Sequence, residues 1–179
     1  MNGYQIIKAF EFIPEAKDLF LGVFTNNTFP NHFKTVRNGF FIVNTQSNVN
    51  NFGHWILFYI DRFNLYYFDS FSFSPEEYGG AISSFYQTYP GYKIKAIKHP
   101  IQSDMSYVCG AYCIYFAFKM CRNRFNDLSR TLGVNRERND RIVIQFFENL
   151  VGTRLSCRTL FCPMSMFNER CKYFCRCNH

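Results

Sequence analysis

Two apolar runs, Trp55-Ile-Leu-Phe-Tyr-Ile60 and Leu65-Tyr-Tyr-Phe68, stand either side of the tetrad Asp61-Arg62-Phe63-Asn64. Short runs rich in aromatic and β-branched side chains, joined by turn formers, predict an antiparallel β-hairpin. A hairpin constrains more than its own residues, because its register decides which flanking side chains meet. With the turn centred near residues 61–63, His54 and Asp69 lie at the open end on opposite strands. Residues facing each other across an antiparallel pair project to one face, with Cβ atoms about 4.5–5.5 Å apart. The hairpin is therefore expected to present an imidazole and a carboxylate side by side.

A nucleophile and an oxyanion donor come next in order. Gln102 precedes Cys109-Gly110 by seven residues, and residues 109–122 read as a largely buried helix entered from a loop. A thiol at a helix start is favoured as thiolate by unpaired N–H groups and the helix dipole. Gly110 lets backbone and substrate approach closely. His54 is then the base that takes the thiol proton, and Asp69 orients the imidazole and favours its cation. The Gln102 amide and the Cys109 N–H are the expected donors to a tetrahedral oxyanion. Trp55 is expected to pack on or shield His54. His32 and His99 lack comparable context and read as surface residues.

Elsewhere, residues 4–20 read as a helical opening, with Ile6, Ile7, Phe10 and Ile13 at helix-like spacing until Pro14 interrupts. Thr25 to Thr28 and Pro30-Asn31 are turn signals, and residues 39–44 predict a buried strand before a polar, Asn-rich loop. Ser74-Pro75-Glu76-Glu77 predicts a helix start, continued through about Tyr89 despite Gly79-Gly80. Residues 92–98 alternate as a strand does, and residues 138–150 predict a final helix. The chain of 179 residues divides into one domain over residues 1–151 and a basic, Cys-rich extension over residues 152–179.

Charge and cysteine are unevenly spread. Residues 1–118 hold eight basic and eight acidic side chains, whereas residues 119–179 hold twelve and five, hence the whole net charge of +7. A basic third suits a polyanion such as DNA, or is simply a solvated surface. Five of the eight cysteines (Cys157, Cys162, Cys171, Cys175 and Cys177) crowd the end. Their spacing matches no standard zinc pattern, so neither a metal nor an organic cofactor is expected. No apolar run is long enough to span a bilayer, and residues 1–5 do not open a secretory signal. The expected setting is a reducing intracellular compartment and the expected state a monomer.

Phe20-Leu21-Gly22-Val23-Phe24, Phe29-Pro30, residues 41–45, Gly53-His54-Trp55, residues 68–74 and Gln102-x6-Cys109-Gly110 together resemble the adenovirus-type cysteine endopeptidases, the adenain family. The resemblance runs in order from about residue 20 to 120. It implies an α+β fold with a central mixed or antiparallel sheet packed against helices. It further implies a catalytic triad of His54, Asp69 and Cys109, with Gln102 at the oxyanion hole. The implied work is maturation of viral precursor proteins at Gly-containing sites, in a host nucleus or virus factory and in the virion. Activation by DNA or by a viral peptide is implied too, though this chain departs from the family at two places. It has Asp69 where adenoviral enzymes generally have Glu, and no cysteine near Pro90 to Tyr92 to tether an activating peptide. Adenovirus-like mobile elements and virophages carry such proteases as well. The same residue order resembles SUMO- and ubiquitin-like protein isopeptidases of the same clan, and a basic nucleic-acid-binding protein is a non-enzymatic alternative.

Overall fold

The computed structural model describes residues 1–28, 36–46, 53–88, 93–124 and 128–152. Five strands form one mixed sheet in the order β1-β2-β3-β4-β5. They are β1 (Phe20–Thr25), β2 (Asn38–Asn44), β3 (Trp55–Asp61), β4 (Asn64–Phe68) and β5 (Lys93–Ala96). The middle three are antiparallel, while β1 joins β2 and β5 joins β4 in parallel. This is the α+β fold with a mixed sheet that the sequence led us to expect.

Strand alternation divides the apolar side chains of the sheet into two cores. Phe40, Ile42, Leu57 and Phe68 pack in one core with α1 (Gly3–Phe10), α3 (Cys109–Cys121) and α5 (Arg136–Val151). Phe41, Val43, Ile56 and Phe58 pack in the other with Ile82 and Phe85 of α2 (Gly80–Gln87). Covered on both faces, β2 and β3 need apolar residues at nearly every position, which is why they read as continuous runs. Within the first core α3 is enclosed: every residue from Cys109 to Ala117 is buried. A helix apolar all round belongs in such a place. A short α4 (Leu128–Thr131), absent from the sequence reading, precedes α5.

Three expected elements come out differently. The opening helix spans only Gly3–Phe10, closed at its start by reciprocal bonds between Asn2 and Gln5. The helical reading to residue 20 fails after a 3-10 turn at Pro14–Ala16, and Phe20–Thr25, to which the sequence assigned no element, is an edge strand. The helix expected from Ser74 is broken. Ser74 starts a 3-10 turn at Pro75–Tyr78, Gly79 takes φ 60, and α2 restarts at Gly80. The two glycines adopt left-handed φ values that a continuous helix cannot contain. The final helix begins at Arg136, two residues earlier than expected, where the Asn135 side chain accepts from the Arg138 N–H. His32, Pro90 to Tyr92 and the extension beyond Gly152 lie outside the described residues.

Gly39 holds the junction of β1 and β2. Its φ is +146, and a Cβ there would sit 2.9 Å from the Leu19 carbonyl oxygen. Gly39→Ala is expected to cost about 1–3 kcal/mol, read as a lower denaturant midpoint. Gly133→Ala, where a Cβ meets nothing within 4 Å, should leave the midpoint in place.

Candidate active site

Leu57 pairs with Phe68 in the β3–β4 ladder, so continuing it sets Ile56 against Asp69 and His54 against Phe71. The rings of His54 and Phe71 do touch, with centroids 4.9 Å apart. His54 and Asp69 are thus diagonal neighbours, not directly opposed as the sequence suggested. The turn centres on Arg62-Phe63, slightly later than assumed. Same-face diagonal pairs are still within reach of long side chains, and His54 Nε2 lies 2.8 Å from Asp69 Oδ1.

Asp69 is 1% exposed. Its Oδ1 also accepts the Phe71 N–H at 2.7 Å, in a tight turn where the Ser72 N–H returns to the Asp69 carbonyl. Its Oδ2 accepts from the Tyr78 hydroxyl and, at 3.2 Å, from the Tyr67 hydroxyl. The Tyr67 proton is shared with the Phe73 carbonyl at 2.9 Å. Burial first, then the adjacent carboxylate, push both phenols well above their ordinary value, so both stay donors.

Cys109 is the first residue of α3, entered without a side-chain cap, and is itself buried. Burial alone would push its thiol up. The His54 imidazole, and next the Trp55 backbone N–H, overcome that and bring the thiol below its ordinary value. The reciprocal holds at His54. Burial opposes the imidazolium, but Asp69 and the Cys109 thiol outweigh it and raise the ring to about 10. With Nε2 taken by Asp69, the buried Nδ1 is the atom left for the thiol. It makes no hydrogen bond of ordinary geometry.

Gln102 joins the site through a different contact. Fully buried, it lies on the loop before α3, and its Oε1 accepts from Ser70 Oγ at 2.6 Å. Its Nε2 gives one proton to the Ser106 carbonyl at 2.8 Å. The second amide proton remains for another acceptor. The loop is anchored from α5, where Asn139 Nδ2 donates to the Ile101 carbonyl and buried Asp140 accepts from Tyr112 and from the Ser103 N–H. Arg136 pairs with Asp104 at 2.7 Å on its surface.

The aromatic expected over His54 was Trp55. That place belongs to Phe71 and Tyr78, while Trp55 Nε1 donates to the Met1 carbonyl and its ring borders Gly110. Ser70, Tyr67 and Tyr78 went unnoticed in the sequence. Tyr67 had a signal, two residues before Asp69 and so on the same strand face; Tyr78 had none. Among the described residues no cluster of three or more His, Cys, Asp or Glu is placed to hold a metal ion, and Cys109, Cys113 and Cys121 are free thiols.

No protein-family model and no curated protein matches the chain. Solved structures do. ChlaDub1 of Chlamydia trachomatis is 25% identical over 55% of this chain and 48% of its own, with a TM-score of 0.42. The Chlamydia trachomatis effector Cdu1, solved bound to ubiquitin, is 26% identical over 60% and 50%, with a TM-score of 0.41. The chain spans about half the length of these two. The C-terminal Ulp1 protease domain, solved with Smt3, the yeast ortholog of SUMO, is 18% identical over 84% of this chain and 77% of its own, with a TM-score of 0.51. That last likeness, extending over most of both chains, is one of fold.

The opposed shifts at Cys109 and His54 define a pH window. The thiol ionises below its ordinary value and the imidazolium persists to about 10, so thiolate and imidazolium coexist between the two. Alkylation of Cys109 by iodoacetamide, followed by mass spectrometry, should rise through a midpoint below the usual thiol value of about 8.5. Cys121, pushed up to about 11 chiefly by burial, serves as the internal reference. Asp69→Asn withdraws the charge that supports the imidazolium and should move the Cys109 midpoint upward. A wild-type midpoint at or above that of an ordinary thiol would rule out the ion pair.

Proposed function

We propose that this chain is a cysteine peptidase, with Cys109 as nucleophile, His54 as acid and base, Asp69 as the orienting acid and Gln102 as oxyanion donor. The observation that carries the reading is the buried Asp69–His54 pair electrically coupled to a thiol at the start of α3. In this mechanism the Cys109 thiolate adds to the scissile carbonyl carbon. The oxyanion takes hydrogen bonds from the Cys109 N–H, which has no partner within the helix, and from the second Gln102 amide proton. Imidazolium Nδ1 gives its proton to the leaving amine as the C–N bond breaks. Neutral His54 then takes a proton from water, which adds to the thioester and releases the acid and the thiolate.

The finer assignment rests on the resemblance of the ordered motifs to those of adenoviral endopeptidases: processing of viral or virus-like precursor proteins next to glycine, in a nucleus or virus factory and in particles. DNA bound through the basic C-terminal third would confine enzyme and substrate to one polymer, and a viral peptide is a second candidate activator. A ubiquitin-like protein isopeptidase is the alternative. It is favoured by the fold shared with the Ulp1 domain, which was solved with Smt3, the yeast ortholog of SUMO.

Turnover of a fluorogenic Gly-Gly-aminocoumarin peptide in reductant tests the chemistry. Cys109→Ala should abolish it, and Gln102→Ala should lower kcat by about 10²–10³-fold. Turnover that survives Cys109→Ala would overturn the mechanism. SUMO and ubiquitin carrying a C-terminal electrophile sort the substrate class: labelling of Cys109 by either moves the isopeptidase ahead. Turnover unchanged across a DNA titration at low salt would remove DNA as an activator.

A further inference from the structure

Asp69 and Ser70 are consecutive, yet they hold different halves of the site. Asp69 fixes the imidazole. Ser70 fixes the amide: its Oγ donates to Gln102 Oε1 at 2.6 Å, and its carbonyl accepts the Ile101 N–H at 2.9 Å and the Gln102 N–H at 3.1 Å. We propose that Ser70 is the positioning residue for oxyanion stabilisation, acting through the Gln102 side chain; this rests on the peptidase reading above.

The chemistry of the two ends of the amide supports it. The Ser106 carbonyl can only accept, so the nitrogen of Gln102 must face it. That leaves Oε1 at the other end, fully buried, needing a donor, and the Ser70 hydroxyl supplies one. Two bonds at opposite ends set the amide plane, and hence the direction of the remaining N–H. A donor on the amide oxygen also polarises the group and strengthens that N–H toward an anion. Without the hydroxyl, Oε1 is buried and unpaired, a state relieved by rotating the amide away from its catalytic orientation.

Kinetics of Ser70 variants separate positioning from packing. Ser70→Ala should lower kcat for the Gly-Gly-aminocoumarin peptide on the order of 10-fold with KM nearly unchanged, part of the loss expected for an oxyanion donor. Its alkylation profile at Cys109 should match wild type, because Ser70 contacts neither partner of the ion pair. In a Gln102→Ala background, Ser70→Ala should add nothing. Ser70→Cys, nearly isosteric with a weaker donor, should fall between wild type and Ser70→Ala, and keeps the test open should Ser70→Ala melt below the assay temperature. Losses that multiply in the double variant, or a Ser70→Ala alkylation midpoint that moves with kcat, would overturn the inference and leave Ser70 a packing residue. Failure of the peptidase reading itself looks different: wild type would be inactive, or Cys109→Ala as active as wild type, and the role of Ser70 would fall with it.

Discussion

One buried carboxylate organises this end of the molecule. An isolated ionised carboxyl removed from water costs several kcal/mol even after the protein relaxes around it. It persists inside a protein only where donors replace the lost hydration. Asp69 has four: His54, the Phe71 N–H, Tyr67 and Tyr78. They come from the approach to β3, the turn after β4, β4 itself and the 3-10 turn before α2. Satisfying a single side chain therefore fixes four segments relative to one another. That explains why Gly79 can interrupt the helix so close by: Tyr78 is held by its bond to Asp69 and by its carbonyl, which accepts from Asn26.

The thiol arrives from the opposite layer. By register, His54 and Asp69 continue the strand face that packs on α2, whereas Cys109 belongs to the core built on α1, α3 and α5. The two layers meet just beyond the strand ends, where a side chain from either side of the sheet can reach the other. Rigidity comes from the burial of α3. A helix enclosed from Cys109 to Ala117 cannot slide to adjust its first residue, so the sulfur position is set by the whole core. Sites built on such elements lose little to reorganisation during reaction.

Much of this was legible in the sequence where the pattern was local and strong. The hairpin, β2 and α3 announce themselves because burial on every side demands unbroken apolar runs. Register was nearly legible; moving the turn centre by one residue converts a facing pair into a diagonal one. Phe20–Thr25 has no element in the sequence reading because a short apolar run has no period that distinguishes helix from strand, and only its pairing with β2 decides. Ser74-Pro75-Glu76-Glu77 carries a sound start signal, but the path of the chain after it is settled by Gly79 and by the pull of Asp69 on Tyr78, a contact between elements with no trace in local sequence. The links from Ser70 to Gln102 and from Asp140 to Tyr112, some thirty residues apart in the chain, were invisible for the same reason.

An aspartate at residue 69 suits this geometry better than a longer acid. Oδ1 serves two donors at once, the Phe71 N–H at 2.7 Å and His54 Nε2 at 2.8 Å. The first is a bond to the backbone two residues on, a ring that Asp closes readily and an extra methylene enlarges. That ring bends the chain out of β4, and Ser72 at φ 58 completes the bend. The bend carries the Ser70 carbonyl to the loop before α3, where it takes the Ile101 and Gln102 N–H groups. The short acid therefore does two things through one turn: it supports the imidazole, and it delivers the next residue to the Gln102 loop. A longer carboxylate could still reach His54, but only with a differently shaped connection between β4 and the Gln102 loop. In this chain acid length and the anchoring of the Gln102 loop are one structural choice.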